Sequence, residues 1–151
     1  ALLQQRGVQG PFVVVCPFAG GLIGTEEKTW PRFAEFTRQL LKAHYTVLAC
    51  PGPGEDAIIS EEHPGVLLLP GVKMGVYGGL LRRAAMVVSN DTGPGHLAAA
   101  VGAPLISVLG PTLPEQWGPW GPSVKVVRRW PGWPGVDETL AAFEAHLARP
   151  R

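Results

Sequence analysis

The sequence predicts an α/β domain built on a doubly wound, mostly parallel sheet of six strands, with helices on both faces. Three observations predict it. Short runs rich in valine, isoleucine and leucine are apolar throughout, as strands covered on both faces must be. They alternate with longer segments whose apolar residues recur at helical spacing. The 20 glycines and 16 prolines gather between these segments instead of forming a low-complexity tract. A chain of 151 residues is long enough for one such domain with a proper core.

The first strand is PFVVVCP (11–17), followed by FAGGLIGTEEK, a glycine-rich loop. TWPRFAEFTRQLLKAH comes next, with Phe33, Phe36, Leu40 and Leu41 on one helical face. Thr29 or Trp30 is its expected cap, with Pro31 tolerated in the first turn. YTVLAC (45–50) and GVLLLP (65–70) are the second and third strands, and 50–62 reads as a loop. KMGVYGGLLRRAA places Met74, Tyr77, Leu80, Leu81 and Ala84 on one stripe, although each glycine costs a helix about 1 kcal/mol relative to alanine. AMVVSN (85–90) is the fourth strand, GPGHLAAAV a short helix and PLISVLG (104–110) the fifth strand. SVKVVRR (123–129) is the sixth, and VDETLAAFEAHLAR closes the chain with Leu140, Phe143 and Leu147 on one face. This is a Rossmann-like pattern. Ligands bind such sheets beyond the carboxyl ends of the strands, so loops 17–30, 50–62, 70–75 and 90–96 are expected to converge on one crevice.

The chemistry concentrates in SNDTGPGHLAAA (89–100). Asp91, Thr92, Gly93, Pro94, Gly95 and His96 stand where a strand hands over to a helix whose first N–H groups lack internal partners and attract anions. The glycines permit close backbone approach. Asp91 suits ligand hydroxyls, while Thr92 and the N–H groups after it suit phosphate. A helix cap alone needs one residue, not the whole cluster, so a ligand-binding turn is the reading taken.

Two further loops are less specific. Lys28 precedes a helix, where its ammonium reads either as a point charge on a diphosphate or as a solvated loop lysine; the GxxxxGK[ST] spacing is not present. Glu55, in PGPGED after the second strand, reads either as a grip on ribose hydroxyls or as a solvated turn acid. The loop GPTLPEQWGPWGP (110–122) reads as a stiff cover packed on the core at Trp120, with Trp117 left open.

Several function classes are excluded. A net charge of +1, with Arg82–Arg83 and Arg128–Arg129 as solvated flanks, gives no electrostatic footprint for nucleic acid. No apolar stretch is long enough for an integral membrane segment, and ALLQQRGVQG lacks the pattern of a signal peptide. There is no GxGxxG for a dinucleotide, no G-x-S-x-G elbow and no metal-ligand spacing, so no metal or cofactor is expected. His44, His63 and His146 read as surface or packing residues. Cys16 and Cys50 read as part-buried thiols of a reduced, cytosolic chain.

DTGPGHLAAAVGAPLISVLGPT, with KTWPRF upstream and PEQWGPWG downstream, resembles the heptosyltransferase family, glycosyltransferase family nine, and specifically its C-terminal donor-binding domain. The likeness covers nearly the whole chain. It implies the GT-B architecture of two Rossmann-like domains. Residues 1–151 would be the nucleotide-sugar binding domain, and the N-terminal acceptor domain would lie outside this chain. It further implies an inverting transfer from ADP-heptose or a related nucleotide sugar to a lipopolysaccharide-type or other glycan acceptor. Lys28 would contact the donor diphosphate and stabilise its departure. Glu55 would hold the ribose, and Val72–Met74 would border the base. Asp91, Thr92 and Gly93 would hold sugar and phosphates, with His96 supporting that turn. Where some members offer hydroxyls to phosphate, this chain has Ile23 and Gly24, leaving Thr25. The acidic general base of the family comes from the N-terminal domain, so the chain alone would bind donor without transferring it efficiently. The expected location is cytoplasmic, peripheral at the inner membrane through the other half. The alternative is a stand-alone, non-catalytic module that binds a nucleotide or nucleotide sugar.

Overall fold

The computed structural model describes residues 2–17, 22–23, 26–27, 29–90, 92–111 and 113–150. In chain order its elements are α1 (Leu2–Gln5), β1 (Val13–Cys16), β2 (Leu22–Ile23), β3 (Glu26–Glu27), α2 (Phe33–Lys42) and β4 (Val47–Ala49). Then follow α3 (Asp56–Glu62), β5 (Leu67–Leu68), α4 (Met74–Arg83), β6 (Met86–Ser89) and α5 (Gly93–Ala100). The chain continues with β7 (Leu105–Leu109), α6 (Pro114–Trp117), β8 (Val124–Arg128) and α7 (Val136–Leu147). All six predicted strands are present. They form one sheet in the order β5-β4-β1-β6-β7-β8, parallel at every pairing. Short β2 and β3 pair antiparallel as a separate ribbon.

Burial on both faces explains the continuous apolar strands, because successive side chains point to opposite faces. Val13, Val15, Met86, Val88, Ile106 and Val108 share one core with Phe33, Phe36 and Leu40 of α2 and with Val136 and Phe143 of α7. Phe12, Val14, Leu48, Val87 and Leu105 share the other with Leu80 and Leu81 of α4 and Ala98 of α5. On the first face an aromatic chain locks α2 to α7: Trp30 lies 5.5 Å from Phe36 and Phe36 lies 6.2 Å from Phe143, both in inclined or edge-on pairs. The Trp30 indole N–H donates to the Pro134 carbonyl at 3.0 Å.

The structure corrects four expectations. Helix α2 starts at Phe33 with Arg32 at the cap position, not Thr29 or Trp30. Pro31 and Arg32 form a turn ahead of the helix, closed by the Phe33 N–H on the Trp30 carbonyl at 3.2 Å, and Trp30 is spent on the core. Met74 is 70% exposed, so the buried stripe of α4 does not include it. It is the first residue of that helix. Within 50–62, residues 56–62 form α3, whose only buried residue is Ile59. One apolar anchor in seven residues is too weak a period to read as a helix. Trp120 is 86% exposed and packs on no core.

The histidines behave as packing or surface residues. His63 is buried with Nδ1 3.0 Å from the Thr37 hydroxyl, His146 Nε2 lies 2.7 Å from the Ser123 carbonyl, and His44 is exposed. The arginine pairs flank their elements in the same way. Arg128 donates to the Gly110 carbonyl at 2.9 Å, and Arg129 pairs with Glu138 at 2.8 Å.

Candidate functional site

The chain leaves β1 toward β4 and β5 on one side of the sheet, then returns to lay β6, β7 and β8 on the other. β1 and β6 therefore flank the switch point, where the loops above the strand ends diverge and open a crevice. A cavity of about 290 Å³ lies there, lined by Cys16 and Pro17 after β1, Cys50, Gly52 and Glu55 after β4, Val72 after β5, and Thr92 and Pro94 after β6. Ile59 and Tyr77 add apolar wall from α3 and α4.

Glu55 is half-buried, and its Oε1 accepts the Gly52 N–H at 2.6 Å. That bond folds the PGPGE turn back on itself and holds the carboxylate at the cavity's rim. Thr92 occupies the cap position of α5 with extended backbone (φ −152°, ψ 159°), and its side chain makes no capping bond. Its hydroxyl is thus not consumed by the helix. Gly95 lets α5 sit hard against the end of β6: a Cβ there would stand 2.5 Å from Ser89 Oγ. This brings the first turn of the helix to the crevice, where Thr92 and Pro94 line it.

The cavity floor is neutral. Cys16 Sγ lies 3.4 Å from Tyr77 Oη. Burial pushes the Cys16 thiol up to about 11. Burial, reinforced by Cys16, pushes Cys50 up to about 12. The Tyr77 phenol is raised as well, by burial first. Both cysteines are free thiols. Among the described residues no cluster of three metal-ligating side chains exists, and no helix is long and apolar enough to cross a membrane.

Of the residues singled out from the sequence, Glu55, Val72 and Thr92 line this cavity. Gly93 opens α5 beside it. Met74 stands exposed at the start of α4, outside the lining. His96, one turn into α5, is exposed and lines a second groove with Pro114, Glu115 and Trp120. Thr25, Lys28 and Asp91 lie outside the described residues.

Sequence reasoning passed over Asn90. It is fully buried at the end of β6, its Nδ2 donates to the Pro17 carbonyl at 2.7 Å, and its Oδ1 accepts the Trp30 N–H at 2.8 Å. An amide closing an otherwise apolar strand was the available signal. Tyr77 was read only as core, because its period gave no hint that its hydroxyl faces a cavity.

An apolar wall, a carboxylate acceptor and a helix N-terminus around one opening suit a ligand with a flat ring, hydroxyls and an anionic group. Residues 1–139 match the model of glycosyltransferase family 9 (heptosyltransferase). Lipopolysaccharide heptosyltransferase 3 of Escherichia coli is 33% identical over 141 residues, covering 86% of this chain and 39% of the relative. Lipooligosaccharide heptosyltransferase 2 of Haemophilus influenzae is 31% identical, covering 85% and 38%. Among solved structures, Escherichia coli heptosyltransferase WaaC with ADP superposes with a TM-score of 0.76 at 25% identity, covering 91% of this chain and 44% of that one. Escherichia coli ADP-heptose lps heptosyltransferase II reaches a TM-score of 0.78 at 23% identity, covering 96% and 49%. The chain therefore spans about two fifths of the curated relatives it matches and under half of these solved chains. With sheet order, switch-point crevice and family match in agreement, the chain belongs to glycosyltransferase family 9, the heptosyltransferases.

Proposed function

We propose that residues 1–151 form the donor-binding half of an inverting heptosyltransferase, which takes ADP-heptose or a related nucleotide sugar and glycosylates a lipopolysaccharide-type acceptor. The observation that carries this reading is convergence. Glu55, Val72 and Thr92, on three different loops, line one cavity at the switch point. The relatives are lipopolysaccharide or lipooligosaccharide heptosyltransferases, and one similar structure was solved with ADP.

In this reading the base lies against Val72 and the apolar wall, near Met74. The ribose hydroxyls donate to Glu55, whose Oε2 is not engaged by Gly52. The diphosphate faces Thr25, Lys28 and the N-terminus of α5, and Asp91, Thr92 and Gly93 hold sugar and phosphates while His96 supports the turn. The acceptor hydroxyl, deprotonated by a carboxylate of an N-terminal domain outside this chain, attacks the anomeric carbon as its bond to the diphosphate oxygen breaks. The carbon inverts and ADP departs. Lys28 and the helix terminus take up the charge that develops on the leaving group, as preorganised positive groups do. The enzyme would work in the cytoplasm, at the inner-membrane face where a glycolipid acceptor is offered.

Calorimetric titration with ADP, ADP-heptose, adenosine, UDP and GDP tests this. Binding of ADP and ADP-heptose above the other diphosphates is the expected result. Failure to bind any nucleoside diphosphate would overturn it.

A further inference from the structure

Asn90 follows β6 at the switch point and is not among the residues that line the cavity. Its position is nonetheless peculiar. The side chain is wholly buried, and both ends of its amide are used across the switch point. Nδ2 donates to the carbonyl of Pro17, the residue that follows β1. Oδ1 accepts the backbone N–H of Trp30, which stands three residues before α2. Its own backbone N–H points to the Cys16 carbonyl at 3.4 Å. Pro17 and Trp30 are the two ends of the segment that carries Thr25 and Lys28, and Thr92 lies two residues beyond Asn90.

We propose that Asn90 is the positioning residue of the diphosphate end of the crevice. One amide ties both ends of the β1–α2 segment, Pro17 and Trp30, to the residue two before the cap of α5, and both elements are assigned above to the diphosphate. A primary amide suits the task because it donates and accepts at once, whereas a carboxylate only accepts and an aliphatic side chain does neither. This assignment rests on the donor-site reading given under Proposed function.

The test compares wild type with N90A, N90D and the near-isosteric N90L for binding of ADP and of adenosine by calorimetry, with circular dichroism as the check on folding. N90A breaks both hydrogen bonds and is expected to lose about tenfold or more in ADP affinity, the scale of buried polar groups left unpaired, with adenosine changed less than about twofold. N90D retains the bond from Trp30 and loses the donor to Pro17. Its ADP affinity relative to wild type is therefore expected to recover as pH falls and its carboxyl gains a proton that can be donated. A residue that merely supports the fold would lower both ligands together, so equal losses for ADP and adenosine overturn the assignment, as does an unchanged ADP affinity. If N90A and N90L do not fold, N90D alone decides it by that pH-dependent ratio. Wild-type protein that binds no ADP would instead defeat the donor-site reading itself.

Discussion

Glu55 and Gly52 face each other across a three-residue turn, the carboxylate Oε1 accepting the Gly52 N–H at 2.6 Å at the rim of the switch-point cavity. One oxygen holds the turn, and the other is assigned in the proposed function to the ribose hydroxyls. Replacing Glu55 with alanine is therefore expected to weaken ADP binding by about tenfold or more, the effect of losing a hydrogen bond to a charged group. Wild type should discriminate against 2′-deoxy- and 3′-deoxy-ADP, and the variant should not. Persistent discrimination in E55A would remove Glu55 from the ribose site.

Lys28 is assigned to the diphosphate, so K28A should cost ADP about tenfold or more in affinity and adenosine little. The salt dependence of ADP binding should also flatten, because one of the charges responsible for it is gone. Titrations of both ligands at two ionic strengths would show this. Equal losses for nucleoside and diphosphate would count against the assignment.

Gly95 meets Ser89 so closely that a Cβ would stand 2.5 Å from the hydroxyl oxygen. G95A should therefore lower stability by about 1–3 kcal/mol, the usual cost of overpacking, despite alanine's better helix propensity. Removing the hydroxyl in the S89A/G95A double variant should restore part of the loss. Urea denaturation of the four proteins closes this cycle, and simple additivity would show that α5 has room to shift.

His63 is buried against Thr37 and Phe33, and burial, aided by the nearby Arg38, lowers its pKa to about 4. The folded state thus favours neutral imidazole, while the unfolded chain takes up a proton near pH 6.5. The unfolded state binds more protons in this window, so the contribution is complete above pH about 6.5 and is lost as pH falls toward 4. A shift of this size is worth about 3 kcal/mol. Melting temperature should fall over that range in wild type, and H63N should flatten the slope while preserving a partner for Thr37.

The six strands were legible because each is buried on both faces and so had to be apolar throughout. The principal helices carry a 3.6-residue period for the complementary reason. Where a segment buries a single residue, as α3 does with Ile59, no period exists to read. The apparent cap at Thr29 or Trp30 failed because Trp30 serves a distant partner: its backbone N–H and indole go to Asn90 and Pro134. Glu55 and Thr92 could be singled out because the loops at these strand ends gather residue types that packing alone does not require.

The sequence by itself determined the class of sheet, the edge on which the loops after β4, β5 and β6 fall, and the family, since these follow from patterns local to each segment. Only the tertiary structure decided that Glu55, Val72 and Thr92 share one cavity, that Trp120 is exposed and that Asn90 bridges Pro17 and Trp30. Those relationships join residues up to 73 positions apart. They depend on which strands become neighbours at the switch point, and a hydrogen bond over such a separation leaves no periodic trace in the chain that makes it.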